Sequence, residues 1–595
     1  MGRKEPDRFA PWVAVAATLV GAFLRFYRLG AKSFCSGEVQ EALNSRSDWA
    51  FTDIQASGTD VIGWYWHNFL WRLGVESDLE LWGRVLAAAC GTAAVPLVYV
   101  LGTRLHSRAA GAAASVMLAL SFFHVNHSQD ARSLSYMTLG AVLVFVGLVR
   151  IVLDSKPRWT WGYLPGCLLL AGSHFFGFIL FGMIHLAFLV VGLVLEARGN
   201  RAAASAASGA VRRLLLAAIP GSALGSVQLW ASSFFFFTKD FDVGEGCPDP
   251  LTLADNVQFL RYLLTYLSGW TGWWVVPPGL LALLGILMLW WRSRVEAVLL
   301  SVWLLFPSGV LWAGKLAGKL VRLDASHMLF LVPAFCIAVS VGLVGTLRLV
   351  LRTLPKGRGG PSTLQPVLVV GAALSMALAG NGSELVRWYQ RDTRLFLGHG
   401  FKEAAREITK RGVTRSDLLA FVYSPQYYEM TWYLGPVFRR NPSLTPVPIE
   451  RLALGQRILL HVTDHVNYSW RRTLQGFRVM TPDGFLARGE RYTGTVWAVL
   501  PVEEDLEPIC GVSAYARFFE THEVYVGQRR VSPTQLPPGF ELVPLPGIDL
   551  FFKRYEDAPR VRVVREVIPL LVDHAPGMSR GFIGQEIRSG RLRIP

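Results

Sequence analysis

Glu38 and Glu41 stand in Ser33-Phe34-Cys35-Ser36-Gly37-Glu38-Val39-Gln40-Glu41-Ala42-Leu43, directly after the first long apolar stretch of the chain. A carboxylate held at the edge of a bilayer is costly, so it points to function more strongly than an ordinary surface charge, and it can act as a general base. Asp60 follows in the same loop, and Asp130 and Arg132 close His124-Val125-Asn126-His127-Ser128-Gln129-Asp130-Ala131-Arg132. Lys315, Lys319 and Arg322 have the spacing of one helical face, where three cations can share a phosphate. His174 between two apolar stretches and His327 at the opening of a later one complete the set.

Each has a plainer reading. Glu38 and Glu41 can be solvated loop charges, with Glu41 the better fit to that description. Asp130 and Arg132 can be a structural ion pair, and His174 a hydrogen-bonded packing residue. His124 and His127 stand at the spacing of some metal ligands, but no carboxylate pattern completes a site. Trp64, Trp66 and Trp71, like Trp270, Trp273 and Trp274, read as interfacial belts.

The elements that must position these residues are membrane spans. Hydrophobic residues make up 52% of the 595-residue chain, with 20 Trp among them, and mean hydropathy is +0.35. Such a composition excludes an ordinary soluble protein. Apolar stretches of near-bilayer length occupy 11–29, 81–101, 108–125, 134–153, 159–175, 177–195, 211–230, 273–291, 297–313, 327–349 and 364–380, predicting about eleven transmembrane helices. The 159–195 run is divided at His174-Phe175-Phe176-Gly177, where a polar residue and a glycine interrupt it.

Basic residues of the short loops give the orientation. Arg3, Lys4, Arg8, Arg104, Arg108, Lys156, Arg158, the Arg198–Arg213 and Arg348–Arg358 segments, Arg292 and Arg294 fall on one side, read as cytoplasmic. The loops 30–80, 124–133, 231–272 and 314–326 and the C-terminal region fall on the other. The N-terminus is thus expected in the cytoplasm of a multi-pass protein, with a bacterial inner or plasma membrane as its setting. The net charge of +16 reads as topology and contact with anionic lipid, not as nucleic-acid binding. The first stretch lacks a small-residue cleavage site and reads as a retained span. Cys90, Cys167 and Cys336 lie within spans, whereas Cys35, Cys247 and Cys510 lie on the outer side, where a disulfide could persist and its pairing is open.

Beyond residue 380 the apolar runs shorten and turn residues recur. An amphipathic helix is expected over Lys402–Arg411 and strands over Leu418–Tyr423, Arg457–Val462 and Thr495–Val502, with one or two more near Arg560–Val572. The organisation predicted is a polytopic α-helical membrane domain, residues 1–380, followed by a C-terminal soluble, mixed α/β, non-cytoplasmic domain, residues 381–595.

The loop motifs resemble those of the GT-C superfamily of polyprenyl-phosphate-sugar glycosyltransferases, which includes protein O-mannosyltransferases and lipid A aminoarabinose transferases. Ser33–Leu43 is similar to that family's first outer loop. Glu80-Leu81-Trp82-Gly83-Arg84 resembles its Leu-Arg-Leu opening of the second span, and Ser128-Gln129-Asp130-Ala131-Arg132 its Ser-Gln-Glu-Ala-Arg loop, the most specific match. Ser173-His174-Phe175-Phe176-Gly177 resembles Thr-His-Tyr-Phe-Gly, and His327-Met328-Leu329-Phe330-Leu331-Val332-Pro333 a late Arg-Tyr-Leu-Leu-x-Leu-x-Pro segment. The likeness reaches to about residue 435.

The resemblance implies a GT-C fold and transfer of a sugar, with inversion, from a polyprenyl-phosphate donor to a lipid, glycan or protein acceptor on the non-cytoplasmic face. Glu38 would be the general base, Asp130 and Asp60 accessory carboxylates, and Arg132, Arg84, His174, His327, Lys315, Lys319 and Arg322 substrate-binding groups. No spacing requires a cofactor, although the carboxylates leave room for a divalent metal. The pattern departs at Gly37, which stands where the family has the Asp of an Asp-Glu pair. Ser326 likewise replaces a late Arg. These departures keep a rival in view, a non-catalytic relative that binds a lipid-linked sugar or an envelope-assembly partner. A transporter is the weaker rival, for want of inverted repeats.

Overall fold

The computed structural model describes residues 9–34, 38–39, 41–42, 45, 61–75, 78–154, 156–174, 176–186, 212–229, 253–316, 325–353, 364–390, 418–421, 432–433, 459–461, 495–501, 541–549 and 560–567. The chain divides into two compact units, one of residues 1–30 and 44–386, the other of 31–43 and 387–595.

The first unit is helical: α1 (Phe9–Phe26), α2 (Val61–Arg72), α3 (Leu79–Leu105), α4 (Arg108–Leu120), α5 (Phe122–Ser128), α6 (Leu134–Leu148) with a π turn (Val149–Leu153), and α7 (Thr160–Ser173). It continues through α8 (Phe176–Leu186), α9 (212–229), and α10 (Leu253–Ser268), α11 (Val276–Arg292), α12 (Arg294–Leu316), α13 (Val332–Thr353) and α14 (Leu364–Gln390). Among the described residues 6 helices are long and apolar enough to cross a membrane, or 7 if the bent pair α4–α5 is one span. The other predicted stretches fall on α7, α8, α9 and α12.

In lipid, close backbone approach replaces the hydrophobic drive between helices, so small residues mark the tightest seams. A β-carbon on Gly140 would meet Leu170 N at 2.5 Å, and one on Gly166 would meet Val144 N at 2.9 Å, which locks α6 to α7. Gly285 and Gly342 do the same reciprocally for α11 and α13, against Ala338 O and Leu281 O. The buried Trp303 fastens α12 to this core, stacking on Phe145 at 4.3 Å and donating to Phe330 O at 2.9 Å.

The stretch expected as one span over 108–125 is instead two helices bent by 59°. Ser121 makes the break: its extended backbone ends α4, and its Oγ accepts from His124 N to cap α5. Phe122 N–H, released from the helix ladder, donates to Asn381 Oδ1 at 2.9 Å. The expected division at His174 holds, since α7 ends at Ser173 and helix resumes at Phe176.

Within the second unit a five-stranded sheet has the order β2-β1-β3-β5-β4, from β1 (Leu418–Phe421), β2 (Leu459–His461), β3 (Thr495–Pro501), β4 (Glu541–Asp549) and β5 (Arg560–Val567). β1 pairs in parallel with β2 and β3, while β5 runs antiparallel to β3 and β4. The helix expected over 402–411 lies outside the described residues.

Candidate functional site

The end of α1 is the point from which the candidate site is built. Arg28 takes a positive φ of 57°, which turns the chain out of the helix. The last carbonyls of any helix lack amide partners and carry its partial negative charge. Here side chains supply the donors. Gln129 Nε2 lies 2.9 Å from Leu24 O, 3.2 Å from Arg25 O and 3.2 Å from Tyr27 O. Arg84, fully buried, donates to Leu29 O at 3.1 Å. The loop after α5 and the first turn of α3 are thus bolted to the exit of the first span.

Arg25 is the hub of this junction and is 0% exposed. Its guanidinium donates to Gly21 O at 2.9 Å within α1, and to Leu118 O at 3.2 Å and Ala119 O at 3.4 Å at the end of α4. It also reaches His124 Nδ1 at 2.7 Å. A guanidinium can only donate, so Nδ1 must accept and the imidazole proton sits on Nε2. Gly91 makes room for the arrangement, because a β-carbon there would lie 2.8 Å from Ser128 Cβ and 3.1 Å from Arg25 Nε. Ser135 Oγ, donating to His127 O at 3.0 Å, ties the loop to α6.

Glu38 is 0% exposed and Glu41 3%. The reading of Glu41 as a solvated loop charge is therefore corrected, and the same alternative for Glu38 does not hold. Their described neighbours are buried with them: Phe34, Val39 and Ala42 are each 0% exposed, and residues 38–39 and 41–42 have helical backbone. Within the same unit Phe34 packs against Trp432, its N–H donates to Tyr433 Oη, and the Lys32 ammonium lies 3.1 Å from the centroid of Trp388.

Asp130 is 8% exposed and pairs with His127 Nδ1 at 3.0 Å. Arg132 is half-buried. His174 ends α7 in extended backbone, its Nδ1 accepts from Phe176 N at 3.2 Å, and its ring stacks on Phe176, so it joins two helices as a local cap. Lys315 lies in the last turn of α12 and His327 in a 3-10 turn, Ala325–Leu331, and only their backbones are described. Asp60, Lys319 and Arg322 lie outside the described residues, as do Cys35, Cys247 and Cys510. Among the described residues no group of three or more His, Cys, Asp or Glu could hold a metal ion.

The tryptophans divide. Trp273 and Trp274 are 77% and 68% exposed, as an interfacial belt requires, whereas Trp64 is 1% exposed and packs with Val61, Leu224 and Val227. Its expected belt role is corrected because α2 turns that face towards α9. Trp66 donates to Trp82 O at 3.1 Å, and Trp71 to Ser45 Oγ at 3.2 Å. The sequence reading passed over Arg25. Its signal was a cation one turn inside the end of an apolar stretch, a position that obliges the side chain to find buried partners.

No protein-family model matches the chain, and no curated protein matches its sequence. Solved structures do resemble it. ArnT from Cupriavidus metallidurans in the apo state aligns with a TM-score of 0.51 at 14% identity, over 95% of this chain and 99% of that one. The same protein bound to undecaprenyl phosphate gives 0.49 at 14% identity, over 95% and 100%. The mycobacterial arabinofuranosyltransferase AftD gives 0.41 at 14% identity, over 95% of this chain and 40% of that one. The first alignment, nearly end to end in both chains, shows the GT-C fold that the loop motifs imply.

Proposed function

We propose that this GT-C-fold protein is a membrane glycosyltransferase that moves a sugar from a polyprenyl-phosphate donor to an acceptor hydroxyl on the non-cytoplasmic face. The observation that carries the proposal is the complete burial of Glu38 in the segment leaving α1. Burying a carboxylate is costly, so its placement among buried apolar neighbours supports a role for it.

In this reading the acceptor oxygen attacks the anomeric carbon while Glu38 takes its proton. The bond from that carbon to the phosphate oxygen breaks with inversion, and the polyprenyl phosphate leaves. Little acid help is needed, because the second ionisation of a phosphate monoester lies near pH 6, at about 6. Lys315, Lys319 and Arg322, with Arg132, stabilise the charge gathering on the leaving phosphate. His327 orients it, and Asp60 and Asp130 are accessory carboxylates. Arg84 and His174 act through the backbone they hold. The sequence requires no cofactor, and the carboxylates leave room for a divalent metal. We propose eleven spans with a cytoplasmic N-terminus in a bacterial inner membrane, and a C-terminal α/β domain outside.

Transfer of label from a panel of radiolabelled polyprenyl-phosphate sugars by purified protein in lipid tests this, with and without a chelator. Loss of about 10²–10⁴-fold in rate is expected for Glu38→Gln. Gly37 favours one alternative, a relative that binds a lipid-linked sugar without turnover; saturable donor binding with no transfer in the wild type would select it.

A further inference from the structure

Helices α8 and α9 border an open cavity of about 660 Å³ that the proposed transfer does not use. Among the described residues its walls are apolar, formed by Phe178, Phe181, Leu215, Leu216 and Ile219, with Arg212 as the charged residue, at the first turn of α9. Such a volume lies within the roughly 300–1,000 Å³ of ligand clefts. Leu216 and Ile219 are 57% and 59% exposed, so the apolar wall continues onto the lateral surface of the helices. From Arg212 to Ser222, which lines the other end, the helix rises about 15 Å, close to one leaflet of a core roughly 30 Å thick.

The other ionisable group among the described lining residues is His185, and both of its nitrogens are engaged. Nε2 bonds Tyr163 Oη at 2.6 Å and Nδ1 lies 2.6 Å from Phe181 O. Nothing polar midway therefore asks for a ligand group, and the cavity offers an apolar trough with a cation at one end. That pattern is complementary to a single amphiphile with an anionic head. Arg212 lies near the end of the Arg198–Arg213 segment, which the charge asymmetry of the loops assigns to the cytoplasmic surface.

We infer that the trough between α8 and α9 is a binding site for an anionic phospholipid of the cytoplasmic leaflet, its phosphate on Arg212 and one acyl chain along Phe178, Phe181, Leu216 and Ile219. The inference rests on the membrane orientation proposed above. It is separate from the donor, whose phosphate that reading assigns to the opposite surface.

The full-length protein in neutral detergent, mixed with equal amounts of phosphatidylglycerol and phosphatidylcholine of the same chain length, reports retained lipid by native mass spectrometry. Phosphatidylglycerol should be held about tenfold over phosphatidylcholine, with the preference lost in Arg212→Gln and restored in Arg212→Lys. Ile219→Trp, which fills the trough and leaves the cation in place, should lower retention of both. Equal retention of the two lipids by the wild type, or an unchanged preference in Arg212→Gln, would overturn the site. Displacement of phosphatidylglycerol by polyprenyl phosphate, dependent on Arg212, would overturn its assignment to phospholipid. Transfer should be unchanged in Arg212→Gln; retention that follows Arg212 in a protein that transfers no sugar would sink the proposed function and leave this site standing.

Discussion

The two ends of α3 solve the same electrostatic problem in opposite ways. At its first turn, beside the exit of α1, cations and an amide are spent on main-chain carbonyls: Arg25 on Gly21, Leu118 and Ala119, Arg84 on Leu29, Gln129 on Leu24, Arg25 and Tyr27. At its last turn Arg104 meets carboxylates, Asp154 at 2.5 Å and Glu296 at 3.1 Å, and Arg150 joins Asp154 at 2.9 Å. Arg292 donates to His106 O at 2.7 Å beside them. These carbonyl caps fix where the chain leaves α1, with an arginine, an amide and a second arginine as donors. The far end neutralises its charges internally and serves as a structural lock.

That contrast can be broken by substitution, beginning at the hub. Arg25→Ala should be the most damaging change outside the carboxylates, at about 3–5 kcal/mol, since it leaves buried acceptors unmet and a cavity behind. A thermal midpoint in lipid equal to that of the wild type would show that the junction does not depend on it.

Acid should separate the two ends next. Burial, and then the charges of Arg348 and Arg292, hold the His106 imidazole down at about 4 from its usual 6.5. The folded protein keeps it neutral while the unfolded chain protonates it, so its contribution is full above 6.5 and is lost as the pH falls from 6.5 towards 4. The loss should reach about 3 kcal/mol, and His106→Gln should flatten the stability profile across that window. Gln129 carries no titrating proton, so variants there should shift the profile without changing its shape.

Asp154 gives a smaller effect in a lower window. Burial pushes its carboxyl up, but hydrogen bonds and charge from Arg104 and Arg150 prevail and hold it below its usual 3.8. Its contribution is present above that value and is lost as the pH falls through the depressed one. Asp154→Asn should cost about 2 kcal/mol near neutrality and remove this acid limb from the melting profile. Gln129→Leu should be mildest in stability, at about 1 kcal/mol, yet should loosen the Asp130 loop, visible as faster amide exchange at Asp130–Ser133 than in Asp154→Asn.

Much of the fold was legible because hydropathy reports burial in lipid directly: α1, α3, α11, α13 and α14 coincide with stretches found from composition and length. The break at Ser121 was not, since a serine inside an apolar run carries no outward sign that Asn381, far along the chain, will take the freed Phe122 amide. In the site, the motif Ser128–Arg132 was visible but the work of its members was not. Gln129, which binds three carbonyls, drew no notice, because capping depends on where another helix ends. Glu41 reads as a solvated charge in the sequence because its burial beside Phe34, Val39 and Ala42 depends on tertiary packing that local composition does not show.

The most direct test of the central claim, that the outer end carries transfer chemistry through Glu38, is label transfer from polyprenyl-phosphate sugars in reconstituted protein. Wild type and Glu38→Gln would be compared at matched donor binding. Turnover by the wild type should all but disappear in the variant while donor affinity persists. Equal turnover in both would contradict it.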